Sequence, residues 1–414
     1  MLKPELLEII ANGENSGVEF KRDDLRPEQL AKEIVALANF QGGRLLLGVE
    51  DDGRITGIQR DGLETWVMDT VFGRYVHPLI LPFYEEIELD DGKRVAVVSL
   101  TQGTAKPYVL RNNNREEIYI RVGSTSRLAT REQQARLFES GGMLHAETLP
   151  VSGTRLENLD QARLTDYLVN IAGDAQAPES PGDWEQRLMG LGLMVAREDG
   201  APVCTIAGLV LFGRSPRRGL RQAGVRWMSF AGGIKDYDAE DDTLLDFPLV
   251  ALWEGRVGAG RQVVEPGLIE HLADRMRPFI SEEGSEITDN LRRETGYRYP
   301  LDALRETILN ALVHRDWTRA IEVEVVNYSD RLEVISPGAL QNSMTIEKML
   351  AGQRSPRNQI IAEIMRDYGY VDMRGMGVRR KIVPLTRDYT GKEAAFELTD
   401  DYLRVTLPAR PKQR

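Results

Sequence analysis

The chain has 414 residues, which is enough for two or three domains that each bury a core of their own. Hydrophobic content of 42% and charged content of 28% are ordinary for a soluble globular protein, and no apolar run approaches the length of a membrane helix. The single cysteine, Cys204, excludes a disulfide framework and a cysteine-rich zinc site, so we expect a cytoplasmic protein without a membrane partner. The net charge of −11 argues against a diffuse electrostatic grip on nucleic acid.

The first part of the chain predicts a mixed arrangement of helices and strands. Alternation of apolar and polar residues indicates strands, and helical spacing of apolar residues indicates helices. The predicted elements, in chain order, are a helix at Lys3–Asn12, a strand at Val18–Arg22, a helix from Pro27 to Gly42, a strand at Leu45–Val49, a hairpin turn at Asp51–Gly53, a strand at Arg54–Ile58, further strands at Arg94–Leu100 and Glu117–Val122, and a helix at Arg131–Leu137.

Polar and glycine residues recur in this region in three short stretches, Glu14–Lys21, Ala38–Gly43 and Leu47–Gly53. With Lys106-Pro107-Tyr108 and Tyr119–Thr125, they resemble the Schlafen/AlbA-type domain over roughly residues 1–140. The resemblance implies a nucleic-acid-binding domain with a mixed sheet.

In the nuclease branch of that family, metal-binding carboxylates stand at positions that correspond to Glu14, Glu19 and Asp51. The resemblance therefore implies a catalytic site for Mg²⁺ or Mn²⁺ there, and Lys21 is a candidate contact for the scissile phosphate. A metal ion held by carboxylates stabilises a transferring phosphoryl group and generates a nucleophilic water. The alternative reading is structural, because Asp51-Asp52-Gly53 is also a good hairpin turn and Glu14 a candidate helix cap. Many members of the wider family bind nucleic acid without cutting it.

Residues 150–235 predict a connector between two larger domains. Leu159–Ile171 and Asp183–Leu191 have helical spacing, and the apolar run Val203–Phe212 predicts a buried strand. Two helices followed by a strand suggest a small winged-helix-like fold.

The stretch Leu301–Trp317 predicts an amphipathic helix with Leu301, Leu304, Ile308 and Leu312 on its apolar side. Glu306 and Asn310 are four residues apart and so share one face of it. The Asn310 carboxamide can offer an oxygen to Mg²⁺, while Glu306 orients or deprotonates a water. A solvated polar face is the alternative reading of such a pair.

The run Asn-Ala-Leu-Val-His-Arg-Asp at 310–316 resembles the N-box helix of the GHKL (Bergerat-fold) ATPases, in the divergent branch of predicted bacterial transcriptional regulators. Arg331–Leu340 resembles the first glycine box, and Arg374–Arg380 resembles the second. The resemblance spans roughly residues 240–414 and implies ATP and Mg²⁺ as cofactors. It makes Glu306 a catalytic candidate and Asn310 a magnesium ligand, and it implies nucleotide contacts from His314, Arg315, Asp316, Gly338, Gly375 and Gly377.

The first glycine box departs from the family pattern. Members usually carry an Asp there that hydrogen-bonds the adenine amino group, whereas this chain has Ser336-Pro337-Gly338. Selectivity for adenine is therefore an open point of the resemblance.

We therefore predict an α+β, multi-domain protein. The expected domains are a Schlafen/AlbA-like domain at 1–145, a connector at 150–235 and a Bergerat-type α/β sandwich at 240–414. The first functional hypothesis is an ATP-regulated, metal-dependent nuclease acting on RNA or DNA in bacterial stress or phage defence. The second is an ATP-binding transcriptional regulator that holds nucleic acid without cleaving it. The GHKL resemblance also implies a homo-oligomer.

Overall fold

The computed structural model describes residues 1–113, 115–197, 200–255, 260–287, 293–341, 344–353, 355–372 and 375–410. The chain separates into two compact units. Unit 1 comprises Met1–Leu144 with Gln341–Ser343, and unit 2 comprises His145–Leu340 with Met344–Arg414. The predicted α+β, multi-domain class is confirmed, whereas the three-domain division stays a prediction. Among the described residues, no helix is long and apolar enough to span a membrane.

Unit 1 has the helices and strands that the apolar spacing predicts, with further short elements between them. Its helices are α1 Lys3–Asn12, α2 Pro27–Asn39, α3 Leu63–Thr65, α4 Gly73–Tyr75 and α5 Arg131–Ser140, and its strands are β1 Val18–Lys21, β2 Gly42–Leu47, β3 Val76–His77, β4 Phe83–Glu88, β5 Arg94–Thr101, β6 Val109–Asn112, β7 Arg115–Glu117, β8 Tyr119–Val122 and β9 Thr125–Leu128. A π-helical segment, Trp66–Phe72, joins α3 to α4. The strand predicted at Arg54–Ile58 is reduced to a bridge between Val49 and Ile55.

The central sheet of unit 1 has the strand order β1-β2-β5-β4. Strand β1 runs parallel to β2, and the other neighbours are antiparallel. Because successive side chains of a strand point to opposite faces, Leu45 and Leu47 face the core under α2, while Leu46 packs in the core under α1. The sheet is therefore covered on both faces, and the end of β1 lies at its margin.

Unit 2 contains the predicted connector and the C-terminal region. Its helices are α6 Gln161–Thr165, α7 Pro181–Gly190, α8 Ile206–Phe212, α9 Leu268–Ile280, α10 Leu301–His314, α11 Ile346–Leu350, α12 Gln359–Asp367 and α13 Val383–Thr390, and its strands are β10 Met194–Arg197, β11 Gly200–Cys204, β12 Val225–Ser229, β13 Asp241–Leu245, β14 Leu252–Glu254, β15 Gln262–Glu265, β16 Ser281–Ile287, β17 Arg293–Tyr297, β18 Val323–Asn327, β19 Arg331–Pro337, β20 Ala395–Leu398 and β21 Tyr402–Pro408. The π-helical segment Asp166–Ile171 follows α6, and the π-helical segment Val378–Ile382 precedes α13.

A six-stranded sheet with the order β13-β12-β18-β19-β21-β20 forms the frame of unit 2. Strands β12 and β18 are parallel, and the other neighbours are antiparallel. Helices α9, α10 and α13 pack against it. The apolar stripe predicted for α10 is buried at Leu304, Ile308 and Leu312, so each of these side chains contributes about 1.5–3 kcal/mol to the packing of the helix. That packing leaves Glu306 and Asn310 on a different face. Leu301, which was predicted to belong to the same stripe, is exposed at the first residue of the helix.

The predicted strand Val203–Phe212 is wrong over most of its length. Only Val203 and Cys204 belong to a strand, β11, and the chain turns at Thr205 into helix α8. The Thr205 hydroxyl accepts a hydrogen bond from the Gly208 amide and caps the helix. Every residue of α8 is buried. An apolar run that is buried all round has no polar side, so its spacing does not distinguish a helix from a strand.

Candidate functional site

In unit 1, the three carboxylates predicted as metal ligands come together around a lysine. The Lys21 Nζ lies 2.7 Å from Glu19 Oε1, 3.3 Å from Asp51 Oδ1 and 3.7 Å from Glu14 Oε1. It also donates a hydrogen bond of 2.8 Å to the Phe20 carbonyl. The sequence prediction that these four side chains form one cluster thus agrees with the geometry, but a cation of the chain itself lies at the centre.

The local structure explains how each side chain of this cluster is held. Glu19 and Lys21 are two residues apart on β1, so both project from the same face of the strand. The Glu14 carboxylate accepts a 2.9 Å hydrogen bond from the Phe20 amide. Asp51 belongs to the turn after β2, and 78% of its side chain is exposed. Glu19 is buried, whereas Asp51 reaches the cluster from the solvent side.

Ionisation in the cluster follows from these contacts. Burial raises the pKa of the Glu14 carboxyl, and the neighbouring Glu19 charge raises it further, against the lowering effect of the Phe20 hydrogen bond. Burial alone would lower the pKa of the Lys21 ammonium, but the hydrogen bond to Glu19 and the surrounding negative charges together raise it. Lys21 therefore remains charged at neutral pH and compensates the carboxylates.

A divalent metal ion does not fit this arrangement while Lys21 lies among the carboxylates. Mg²⁺ is bound at about 2.0–2.1 Å by oxygen ligands, in the space that the ammonium fills here. Within the described residues, no group of three or more His, Cys, Asp or Glu side chains is arranged to hold a metal ion. The Mg²⁺ or Mn²⁺ site inferred from the resemblance at Glu14, Glu19 and Asp51 stays a prediction.

Arg121, which the sequence reasoning did not assign, holds the other side of Glu19. Its Nη1 donates 2.7 Å to Glu19 Oε2 and 3.3 Å to Glu33 Oε2, and its Nη2 donates 2.7 Å to the Asn15 carbonyl. The guanidinium is fully buried. Glu19 is therefore shared between two cations and connects β1 to β8. The signal for Arg121 was its place inside the Tyr119–Thr125 motif.

The Asn39 side chain connects two other motifs of unit 1, Lys106-Pro107-Tyr108 and Tyr119–Thr125. Its carboxamide nitrogen donates to the carbonyls of Tyr108 and Tyr119 at 2.8 and 2.9 Å, and its oxygen accepts from the Tyr108 amide at 2.7 Å. The side chain is buried. A buried backbone group needs a partner, so Asn39 fixes the end of α2 to the start of β8 and to the residue before β6. These motif residues have a structural function in this fold.

In unit 2, Glu306 lies directly against the second glycine box. A Cβ atom on Gly377 would lie 1.8 Å from Glu306 Oε1, which is far inside contact distance. The other oxygen, Oε2, lies 3.4 Å from the Lys381 Nζ. Sequence reasoning missed Lys381, although it stands four residues after Gly377 and so lies on the same side of the helical segment. Gly377 and Lys381 thus enclose one carboxylate.

Asn310 lies one helical turn after Glu306 on α10 and is half-buried. Within the described part of the chain, its carboxamide has no hydrogen-bond partner. A half-buried amide without a partner has its oxygen available for a hard cation and its nitrogen for an acceptor. The residue therefore fits the magnesium contact that was inferred for it.

The first glycine box approaches the end of α10. Gly338 has a backbone φ of +97°, which favours glycine, and a Cβ there would lie 2.4 Å from the Asp316 Cβ and 2.5 Å from the Arg357 Nη1. Asp316 is buried and accepts hydrogen bonds from the Thr318 amide and hydroxyl. The Ser336 hydroxyl, in the region where the family usually has an Asp, donates to the Ala311 carbonyl. Asp316 and Gly338 are brought together by close packing.

Arg315 and His314 differ sharply in their surroundings. The Arg315 guanidinium is buried and donates to the carbonyls of Gln222, Arg319 and Ile321. Burial lowers the pKa of this guanidinium below its usual value. Its hydrogen bonds thus crosslink the loop after α10, while the His314 side chain is exposed at the end of the helix.

The remaining residues of the second glycine box fall at the start of a helical segment. Gly375 has a backbone φ of +71°. Arg374, the first residue of the motif, lies outside the described residues. Asn358, which sequence reasoning also missed, donates to the carbonyls of Val313 and Arg315 and so caps the end of α10.

Family comparison agrees with both resemblances. Residues 14–130 match the family model described as "Schlafen, AlbA_2", and residues 320–407 match the model described as "Putative ATP-dependent DNA helicase recG C-terminal". The chain thus joins a segment that matches the Schlafen/AlbA_2 model to a segment that matches the RecG C-terminal model. The carboxylate cluster lies in the first segment and the three glycines in the second, while Glu306 and Asn310 precede the second match. No curated protein matches the chain.

Two solved structures are similar to the chain, one along nearly its whole length and the other over part of it. The crystal structure of the DIP2311 protein from Corynebacterium diphtheriae has 20% sequence identity and a TM-score of 0.42, covering 99% of this chain and 80% of that one. The solution structure of the N-terminal domain of a RecG-related protein from Nitrosomonas europaea has 23% identity and a TM-score of 0.24, covering 30% of this chain and 92% of that one.

Glu19→Ala in the Schlafen/AlbA_2 segment is expected to destabilise the protein. The change leaves the buried Arg121 without its closest carboxylate, and breaking a buried ion pair costs about 3–5 kcal/mol in free energy of unfolding. Urea denaturation measures the loss. Asp51→Ala is the matched control, because the exposed Asp51 should change the free energy of unfolding by no more than about 0.5 kcal/mol. Equal stability of the two variants would contradict the assignment.

Gly377→Ala in the RecG C-terminal segment is expected to force the Glu306 carboxylate or the glycine box to move. Overpacking of this kind lowers the free energy of unfolding by about 1–3 kcal/mol. Gly190→Ala is the control, because a Cβ at Gly190 meets no atom within 4 Å. Denaturation midpoints that fall equally in both variants would argue against the close contact.

Proposed function

We propose that this protein binds ATP with Mg²⁺ through unit 2 and holds nucleic acid through unit 1 without cutting it. The observation that carries the ATP part is the enclosure of Glu306 by Gly377 and Lys381, with Asn310 one turn away and without a hydrogen-bond partner among the described residues. The match of residues 320–407 to an ATP-dependent helicase C-terminal model supports it. The match of residues 14–130 supports the nucleic-acid part.

The chemistry of the nucleotide site follows from its residues. Bound Mg²⁺ would neutralise phosphate charge, and the Asn310 oxygen would be its ligand from the protein. The Glu306 carboxylate would orient an attacking water. The close packing of Gly338 against Asp316 and of Gly377 against Glu306 brings both glycine boxes next to the proposed site, where their backbone amides would meet the phosphates. Arg315 has no proposed contact with the nucleotide, because its guanidinium is buried against backbone carbonyls. Homo-oligomer formation, which the resemblance implies, stays a prediction.

Binding of ATP with Mg²⁺ is expected to raise the free energy of unfolding of the wild type, and with it the thermal stability. The increase is about 2.7 kcal/mol at a ligand concentration of 100 times Kd. Asn310→Ala should weaken binding about tenfold with Mg²⁺ present and leave binding in EDTA unchanged, since only the metal contact is lost. Gln186→Ala, an exposed carboxamide in the same unit, is the control. If Asn310→Ala keeps the full magnesium dependence, Asn310 is not the ligand.

Nucleic-acid binding without cleavage is supported by the position of Lys21 among the carboxylates. Labelled single- and double-stranded RNA and DNA should be retained by the wild type in a gel-shift assay and remain intact with Mn²⁺. A non-hydrolysable ATP analogue should change the measured affinity for nucleic acid if unit 2 regulates unit 1. An unchanged affinity would show that ATP does not regulate nucleic-acid binding, and absence of any retention would contradict the proposed binding of nucleic acid by unit 1.

A metal-dependent nuclease, in stress or phage defence, is the second candidate function. The observation in its favour is that three carboxylates lie within 3.7 Å of one ammonium group. Cleavage in Mn²⁺ by the wild type that is lost in Asp51→Asn would replace the first proposal by this one. Asp51 is preferable to Glu19 for this test, because its exposed side chain has no buried partner. Asp61→Asn, also exposed, is the control.

A further inference from the structure

Glu306 is held in place by two contacts of different kinds. Against Gly377 the contact is steric, because no side chain would fit between the backbone and Oε1. Against Lys381 the contact is electrostatic, with 3.4 Å between Nζ and Oε2. Only 10% of the Glu306 side chain is exposed, so its negative charge needs compensation.

Lys381 is much less confined than the carboxylate that it contacts. Its side chain is 42% exposed, against 10% for Glu306. An ammonium on a four-carbon chain is a mobile point charge, and the 3.4 Å contact is longer than the usual charge-assisted hydrogen bond. Lys381 can therefore leave Glu306 for a stronger anion that enters from the solvent side.

The position of Lys381 determines which anion this would be. It stands four residues after Gly377, on the helical segment Val378–Ile382, which begins within the second glycine box. A nucleotide whose phosphates approach that box meets the Lys381 ammonium. A polyphosphate carries several negative charges, so it attracts the ammonium more strongly than one carboxylate does.

We propose that Lys381 is a positioning residue that exchanges partners. Without nucleotide it holds the Glu306 carboxylate, and with ATP it binds a phosphate and releases Glu306. The inference rests on the proposed ATP function of unit 2 and adds a regulation of that site. It makes the second glycine box a two-state element, because the same lysine is bound to α10 in one state and to the nucleotide in the other.

The exchange predicts effects of opposite sign on nucleotide affinity. Lys381→Met should weaken binding of a non-hydrolysable ATP analogue with Mg²⁺ about tenfold, since a charged hydrogen bond is lost. Glu306→Gln should strengthen it severalfold, because the carboxylate that competes for Lys381 is gone. In the double variant, Glu306→Gln should have no strengthening effect. Isothermal titration calorimetry measures all four proteins.

Matched variants and ligands separate this role from a purely structural ion pair. Lys381→Arg keeps the charge and should restore most of the affinity, and Lys392→Met, an exposed lysine of the same unit, should bind as the wild type does. Adenosine, which has no phosphate, should bind Lys381→Met and wild type equally. A structural ion pair would instead weaken binding in both single variants and for every ligand.

The outcomes distinguish failure of the inference from failure of the proposed function. Wild type that binds no nucleotide overturns both. Wild type that binds the ATP analogue, with Lys381→Met within twofold of it, overturns the partner exchange and leaves ATP binding intact. Weakened binding in both Lys381→Met and Glu306→Gln also overturns the exchange. Opposite effects that disappear in the double variant establish it.

Discussion

A carboxylate that is removed from water must be compensated by cations or by N–H donors, and this constraint organises the candidate sites of both units. In unit 1, Glu19 is shared between Lys21 of its own strand and Arg121 of β8. In unit 2, Glu306 lies between the backbone of Gly377 and the ammonium of Lys381. In both units the compensating cations are side chains of the chain itself. Arg121 and Lys381 each connect the carboxylate to a segment that is distant in sequence.

The same contacts decide how the motif residues of unit 1 are interpreted. Glu19 supports the fold as well as offering an oxygen to a ligand, because its loss would leave the buried Arg121 without its closest carboxylate. Asn39 fixes two strands to the end of α2. Asp51 differs, since it is exposed and approaches the cluster from the solvent. A motif that resembles a catalytic one thus contains residues with separate structural and chemical functions.

Much of the architecture was predictable because local patterns and tertiary packing agree. Helix α10 was predicted from apolar spacing, and its buried stripe follows that spacing. The run Val203–Phe212 was not predictable, because a segment buried on all sides gives no periodic signal. For the proposed nucleotide site, Glu306 and Asn310 were predicted from their four-residue spacing, whereas Lys381 was missed because its carboxylate partner lies 75 residues earlier in the chain. Arg315 was assigned to the nucleotide, although its guanidinium is enclosed by backbone carbonyls.

The sequence by itself determined which residues can do chemistry, the two family resemblances and the faces of the helices and strands that carry them. Spacing along the chain controls the direction of side chains within one element, so these features needed no tertiary information. Tertiary structure alone decided which charges meet. It placed Lys21 at the centre of three carboxylates, Arg121 against Glu19, and Lys381 against Glu306. The interaction of two charges depends on their separation and burial, and the folded chain sets both.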